Sequence, residues 1–317
     1  MRRAEVAVVG AGIIGALAAY ELAKRGFGVL LLDAKKEGAA TLASAGMLAP
    51  YPEGLSGELL EAGLYGLRTY PDLLEELGGL GKPVEAGFPG SHVVALSKGE
   101  GEAWAAHREA RPLDALPYPV RGGVGAWAFP GGYVHPAALR EALLQAFQAR
   151  GGVFLEAEVE RVAPGRLFLP LGEEVKARLI LLAVGAWGGR FGLKVRPLRG
   201  EALLLEAPPP PAPLFAGEGY LLPREGGVYL GATGREGWGR GVDLFGLRWL
   251  SDYGHERFPL LEEARFRGVL WGYRPLGEVF VGEVDQGVYA ATGHGRNGVL
   301  LAPWTARRIL ELMGVKA

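Results

Sequence analysis

Two glycine-rich turns stand at opposite ends of the chain. The first, Gly10-Ala11-Gly12-Ile13-Ile14-Gly15, directly follows the apolar run Val6-Ala7-Val8-Val9. The second, Gly293-His294-Gly295-Arg296-Asn297-Gly298, follows Val288-Tyr289-Ala290-Ala291-Thr292. Glycines at the first spacing, between a strand and a helix, each have a task. Gly10 permits the tight turn, Gly12 lets a pyrophosphate approach the backbone, and Gly15 lets the helix pack on the strand. The free N–H groups and dipole at the helix start stabilise the phosphates. The second turn carries Arg and Asn between its glycines and feeds another helix, so the chain returns to the same ligand. One long ligand gripped near both ends of the chain points to FAD rather than NAD.

The elements around the first turn complete a strand–helix–strand unit. Glu5 to Val9 reads as a buried parallel strand, and Ile13 to Arg25 as a helix closed by Gly26. Val29 to Leu32 is a second strand ending at Asp33, eighteen residues beyond Gly15, where a carboxylate can accept ribose hydroxyls. Met1-Arg2-Arg3 before an apolar stretch resembles the start of a secretory signal. The fingerprint glycines and the second strand argue against that reading, so a cytoplasmic location is expected.

Further along, helices are predicted over 57–77 (broken at Pro71), 136–150, 247–257 and about 299–313, where Pro303 fits only near the start. Strands are predicted over 93–96, 119–129, 153–155, 158–162, 166–169, 177–184, 198–205, 219–222, 228–233, 269–273 and 279–284. Parallel-sheet pieces thus open, divide and close the chain, with antiparallel pieces between them. The fold class is mixed α/β (α+β). A Rossmann-like FAD-binding domain (1–82, 135–197 and 277–317) interleaves with an antiparallel-sheet substrate domain (83–134 and 198–276).

Composition narrows the chemistry. A net charge of −1 implies no nucleic-acid partner. No run reaches the roughly 18 apolar residues of a membrane span. The chain has no cysteine, which removes disulfides, thiolate metal sites, cysteine nucleophiles and cysteinyl flavin attachment, so the FAD is expected to be non-covalent. His92, His107, His135 and His255 show no metal-ligand spacing, and no metal is expected. A homo-oligomer is compatible with the sequence.

Several further segments carry a family likeness: Ala43-Ser44-Ala45-Gly46-Met47-Leu48-Ala49-Pro50, Ala183-Val184-Gly185-Ala186-Trp187, Val195 to Glu201, Tyr220 to Arg224, Trp271 to Pro275 and Gly293 to Pro303. With the first fingerprint they make the chain resemble the D-amino-acid oxidase/glycine oxidase superfamily over nearly its full length. Within that superfamily it is most like the bacterial glycine oxidases of thiamine biosynthesis. The resemblance implies that Ile13, Ile14, Asp33 and Ala34 touch the pyrophosphate and adenosine. Ala40, Thr41, Ala45, Gly46 and Met47 would line the ribityl and isoalloxazine, with Gly185 also on the cofactor. Val159 would meet the adenine through its backbone, and His294, Gly295, Arg296, Asn297, Gly298, Val299 and Leu300 would cover the pyrimidine edge of the flavin. Tyr220, Arg274 and Arg296 align with positions that hold or border the substrate carboxylate. Two departures stand out. The stretch Leu276-Gly277-Glu278-Val279-Phe280 lacks the usual Asp-Gly-x-Pro, and the region 51–83 is trimmed.

The implied reaction passes a hydride from the Cα of a neutral amine to the flavin and leaves an imine that water hydrolyses, with O2 reduced to H2O2. Its demands are orientation of Cα and a stabilised flavin edge, with no dedicated acid or base. No catalytic residue is therefore assigned. Arg274 offers the planar fork that suits a carboxylate. Tyr220 either donates to the same carboxylate or is core. Arg296 either helps hold the substrate or braces its turn. The expected partners are glycine or a similar small amine or D-amino acid, and O2. Three alternatives remain at this stage: a dehydrogenase passing electrons to a quinone or partner protein, a non-catalytic flavoprotein subunit, and an NAD-linked reductase using only the first turn.

Overall fold

The computed structural model describes residues 2–315. Met1, Lys316 and Ala317, the outermost residues of the expected FAD-binding domain, lie outside the described residues. The strand Arg2–Val9 occupies the middle of an eight-stranded sheet. It runs parallel to Val29–Asp33 on one side and Glu174–Leu182 on the other. Val153–Glu156 and Val288–Thr292 extend the parallel set outward. Phe280–Asp285 adds an antiparallel edge beyond Val288–Thr292. Val6, Ala7, Val8, Leu31 and Leu32 are fully buried, as expected of parallel strands covered on both faces.

A nine-stranded sheet is built from strands between 91 and 129 and between 196 and 276. Its backbone is the long antiparallel pair Arg196–Glu206 and Arg265–Leu276. A small third sheet joins Met47–Leu48, Gly132–Val134 and Ala86–Gly87. The two large sheets meet where Arg265–Leu276 docks on the segment after the second strand. The Tyr273 N–H donates to the Gly38 carbonyl at 2.8 Å. Gly272 makes this approach close, because a Cβ there would lie 3.2–3.3 Å from Gly38, Ala40 and Ala43.

Local differences from the sequence expectations have physical causes. The helix Gly57–Gly79 runs through Pro71 without a break. Proline removes one backbone hydrogen bond, but Tyr70, Leu73 and Leu77 are buried around it and hold the helix down. Gly66 lets this helix cross Gly298–Leu312, since a Cβ there would sit 1.9 Å from the Leu300 carbonyl oxygen. Pro303 is the sixth residue of that last helix, farther in than expected. It cannot donate to the carbonyl of Val299 four residues back. The Tyr70 hydroxyl does so instead, at 2.6 Å, which explains why this fully buried tyrosine is satisfied. Of the predicted strand 119–129 only Gly125–Phe129 forms, and 158–162 is a strand only from Arg161.

Candidate functional site

Five parallel strands end on one elongated cavity. Residues at or just after their carboxyl ends line it: Val9 and Gly10, Leu32 to Ala34, Ala157 to Val159, Ala183 to Trp187, and Ala291 to His294 without Gly293. Ligands of open parallel sheets bind in this position.

The three glycines of the first turn are required for three different reasons. Gly10 has φ +98° and a Cβ would meet the Ala183 carbonyl oxygen at 2.4 Å, so it serves the turn. A Cβ on Gly15 would lie 1.9 Å from the Gly10 carbonyl oxygen, so it serves helix packing. Gly12 is different. Its φ of −68° suits any residue, and a Cβ would touch only Thr41 Oγ1, at an ordinary 3.4 Å. The fold tolerates a side chain there; the cavity, which Gly12 lines, does not. That cradle is the signature of a ligand pressed against the backbone.

Two helices point their N-termini at the cavity, Ile13–Lys24 and Gly298–Leu312, and neither has a side-chain cap. Their free N–H groups and dipoles favour negative charge on whatever lies between them. The Thr41 hydroxyl takes only the Ile13 N–H, at 3.0 Å. The Asp33 carboxylate lines the cavity and accepts from Ala11 N at 2.5 Å and Lys35 N at 2.6 Å. Near it, Glu158 pairs with Lys36 at 2.8 Å and with Arg190.

The segment 40–47 forms the middle wall, and the second sheet holds it. The Tyr229 hydroxyl donates to the Ala43 carbonyl at 2.9 Å, and the Arg224 guanidinium donates to that of Ala45. The Val134 N–H donates to the Gly46 carbonyl at 3.0 Å. Gly46 needs its φ of +73°, because a Cβ would lie 1.9 Å from the Val134 carbonyl oxygen. Burial pushes the Tyr229 hydroxyl well above the usual tyrosine range, so it remains a donor. Its ring stacks on that of Tyr220 at 6.0 Å and 7°.

At the far end stand Tyr220, Arg274 and Arg296. Arg274 lies within the strand Arg265–Leu276, not after one that ends at Tyr273. Its guanidinium lies over Gly200, where a Cβ would come within 2.6 Å, and Nη1 donates to the Thr233 carbonyl at 2.9 Å. Thr233 is itself fixed, its hydroxyl donating to the buried Glu201 carboxylate at 2.7 Å. Buried Arg199 and the partly exposed Arg235 and Asp243 complete that network. The Gly295 N–H donates to the Pro275 carbonyl at 3.1 Å and ties the second glycine turn to the Arg274 strand. His294 is buried, its Nε2 paired with Thr305 Oγ1 at 2.9 Å, and burial lowers its pKa to about 4, so the ring is neutral.

Of the residues singled out from sequence, Gly10, Gly12, Ile13, Ile14, Asp33, Ala34, Ala40, Thr41, Ala45, Gly46, Met47, Val159, Gly185, Tyr220, Arg274, His294, Gly295, Arg296, Gly298 and Val299 line this one cavity. Gly15, Asn297 and Leu300 do not; they pack behind it. The sequence reading passed over Tyr229, Thr233 and Glu53. The signals available were faint: a tyrosine on an apolar strand, a threonine at a strand end, and the single carboxylate between Gly38 and Gly57.

A family model for FAD dependent oxidoreductases (DAO) matches residues 5–312. The chain belongs to this family. It is 29% identical to the glycine oxidase of Geobacillus kaustophilus, over 98% of this chain and 93% of that protein. The crystal structure of a glycine oxidase from the same organism superposes with a TM-score of 0.91, covering 100% of this chain and 96% of that one. The iminodiacetate oxidase of Chelativorans sp. BNC1 is 26% identical with a TM-score of 0.87, covering 98% and 96% of the two chains. This family member is thus an FAD-dependent oxidoreductase of the glycine-oxidase type. Among the described residues no helix is long and apolar enough to cross a membrane, and no cluster could hold a metal.

Proposed function

We propose that this oxidoreductase deaminates glycine or a similarly small amine carrying one carboxylate, with O2 as the electron acceptor. Bound FAD would take a hydride from the substrate Cα and deliver the electrons to O2. The chain supplies position and charge. Gly10, Gly12, Ile13 and Ile14 hold the pyrophosphate, and Asp33, whose two oxygens each take one backbone N–H, accepts from the ribose hydroxyls with its remaining lone pairs. Thr41, Ala45, Gly46 and Met47 face the ring system. The N-terminus of Gly298–Leu312 stabilises negative charge at the flavin edge beside it. The eight-stranded sheet would serve the cofactor and the nine-stranded sheet the substrate.

Arg274 carries the substrate reading. It is an arginine pinned flat over Gly200 and lining the cavity, with a neutral acceptor as its only hydrogen-bond partner among the described residues. A carboxylate seated on that fork fixes one end of the substrate and turns Cα toward the ring. Tyr220 donates to the same carboxylate, and Met47 limits the space beyond Cα. The glycine-oxidase relatives support this reading. An oxygen electrode with a coupled peroxide assay tests it, at about pH 8 so that some of the amine is neutral. Glycine, sarcosine or D-alanine should drive oxygen uptake and peroxide release. Rapid flavin bleaching without oxygen uptake would make the protein a dehydrogenase.

A further inference from the structure

Four cationic side chains line the cavity: Lys36, Arg190, Arg274 and Arg296. Lys36 and Arg190 are paired with Glu158 at the Asp33 end. Arg296 is paired with Glu53, its Nη2 donating to Oε1 at 2.9 Å and its Nε contacting Oε2. Of these four, only Arg274 has no carboxylate partner among the described residues.

The Glu53–Arg296 pair is asymmetric. The Glu53 side chain is 2% exposed, whereas that of Arg296 is 51% exposed and faces the cavity. Glu53 sits in the turn 51–54, held by its N–H donating to the Ala49 carbonyl at 3.0 Å, and does not itself line the cavity. It neutralises Arg296 from behind. Burial pushes its carboxyl upward, and Arg296 and then Arg274 act against that. The field of Glu53 therefore reaches both guanidinium groups.

We propose that Glu53 is a specificity-determining residue: by neutralising Arg296 it leaves one uncompensated guanidinium, and so selects amines with one carboxylate over dicarboxylate amines. This rests on the substrate reading above and extends it to a choice between substrate classes. A carboxylate entering a cavity closed by the flavin loses its hydration and recovers that energy only against an unpaired cation. The first carboxylate finds Arg274. A second would meet a guanidinium already neutralised, with the negative charge of Glu53 behind it. Removing that charge while keeping the side-chain shape turns Arg296 into a second free cation.

The test uses the FAD-loaded protein and two acids of nearly the same shape, malonamate with one charge and malonate with two. Binding is read from the perturbation of the flavin spectrum. The parent should bind malonamate at least about tenfold more tightly than malonate, since like charges brought together in a desolvated site cost at least that much. In Glu53→Gln the preference should largely disappear, with malonate gaining about tenfold and malonamate changing by less than about threefold. Equal affinities for the two acids in the parent overturn the role of Glu53, and that comparison needs no variant to fold. An unchanged ratio in Glu53→Gln overturns it as well. A parent flavin that responds to neither acid, nor to acetate, overturns the carboxylate site on Arg274 and this proposal with it.

Discussion

The two ends of the cavity are built from different materials. At the Asp33 end the recognising groups are mostly backbone: Gly10, Gly12, the N-terminus of Ile13–Lys24 and the carboxyl ends of parallel strands. At the Arg274 end they are side chains, Tyr220, Arg274 and Arg296, and the two arginines are held by residues distant in sequence. A backbone site depends on local conformation, and local conformation is what glycine spacing encodes. A side-chain site depends on pairings that the fold alone creates. The first end should therefore fail by losing its ligand outright, and the second by graded changes in affinity and preference.

Gly12→Val sharpens this most. Protein atoms around Gly12 leave room for a Cβ, so the variant should fold and yet hold almost no flavin after purification. Folded protein with no yellow colour, by circular dichroism and absorbance, is the expected outcome; full flavin content would remove the pyrophosphate from this turn. Arg274→Ala comes next. Affinity for acetate should fall by about 2–5 kcal/mol with flavin content intact, read from spectral titration. Arg274→Lys should recover only part, because an ammonium lacks the planar fork. Unchanged acetate binding in the alanine variant would move the carboxylate elsewhere.

His294 bears on the join between the two ends. Its pKa is about 4 when folded, against an ordinary value near 6.5, because burial excludes the charged ring. A depressed histidine favours the folded state fully above the unfolded value. That contribution is lost as pH falls from 6.5 toward 4, because the unfolded chain takes up the proton first. The span corresponds to roughly 3 kcal/mol. Thermal denaturation at pH values through this window should show a steeper acid decline in the parent than in His294→Asn. Parallel curves for the two proteins would show that His294 does not govern acid stability. The smallest effect is expected of Tyr220→Phe, a loss of about 0.5–1.5 kcal/mol in acetate affinity for one hydrogen bond. A larger loss would mean that the Tyr220–Tyr229 stack had also shifted.

The same contrast explains what was legible in the sequence. The first turn, its two strands and Asp33 are continuous in sequence, and the structure brings them together at the cavity. So was the return of the chain at Gly293–Gly298, since a glycine turn before a helix is again a local pattern. The helix through Pro71 was misjudged because its continuity comes from burial of Tyr70, Leu73 and Leu77, which the proline signal cannot report. Arg274 could be singled out by its place after the predicted strand 269–273 together with family likeness; its seat on Gly200 and its bond to Thr233 arise from strand pairing. Glu53 carried only a faint signal, as the lone carboxylate of its segment, because its partner lies 243 residues away.

The central claim is that one cavity holds FAD at its backbone end and a small amine carboxylate at its side-chain end, close enough to react. Anaerobic addition of glycine to the purified yellow protein tests this most directly. The account predicts that the flavin absorbance bleaches with saturable dependence on glycine, and that acetate competes with that saturation. Full FAD occupancy with no bleaching by glycine, sarcosine or D-alanine would contradict it.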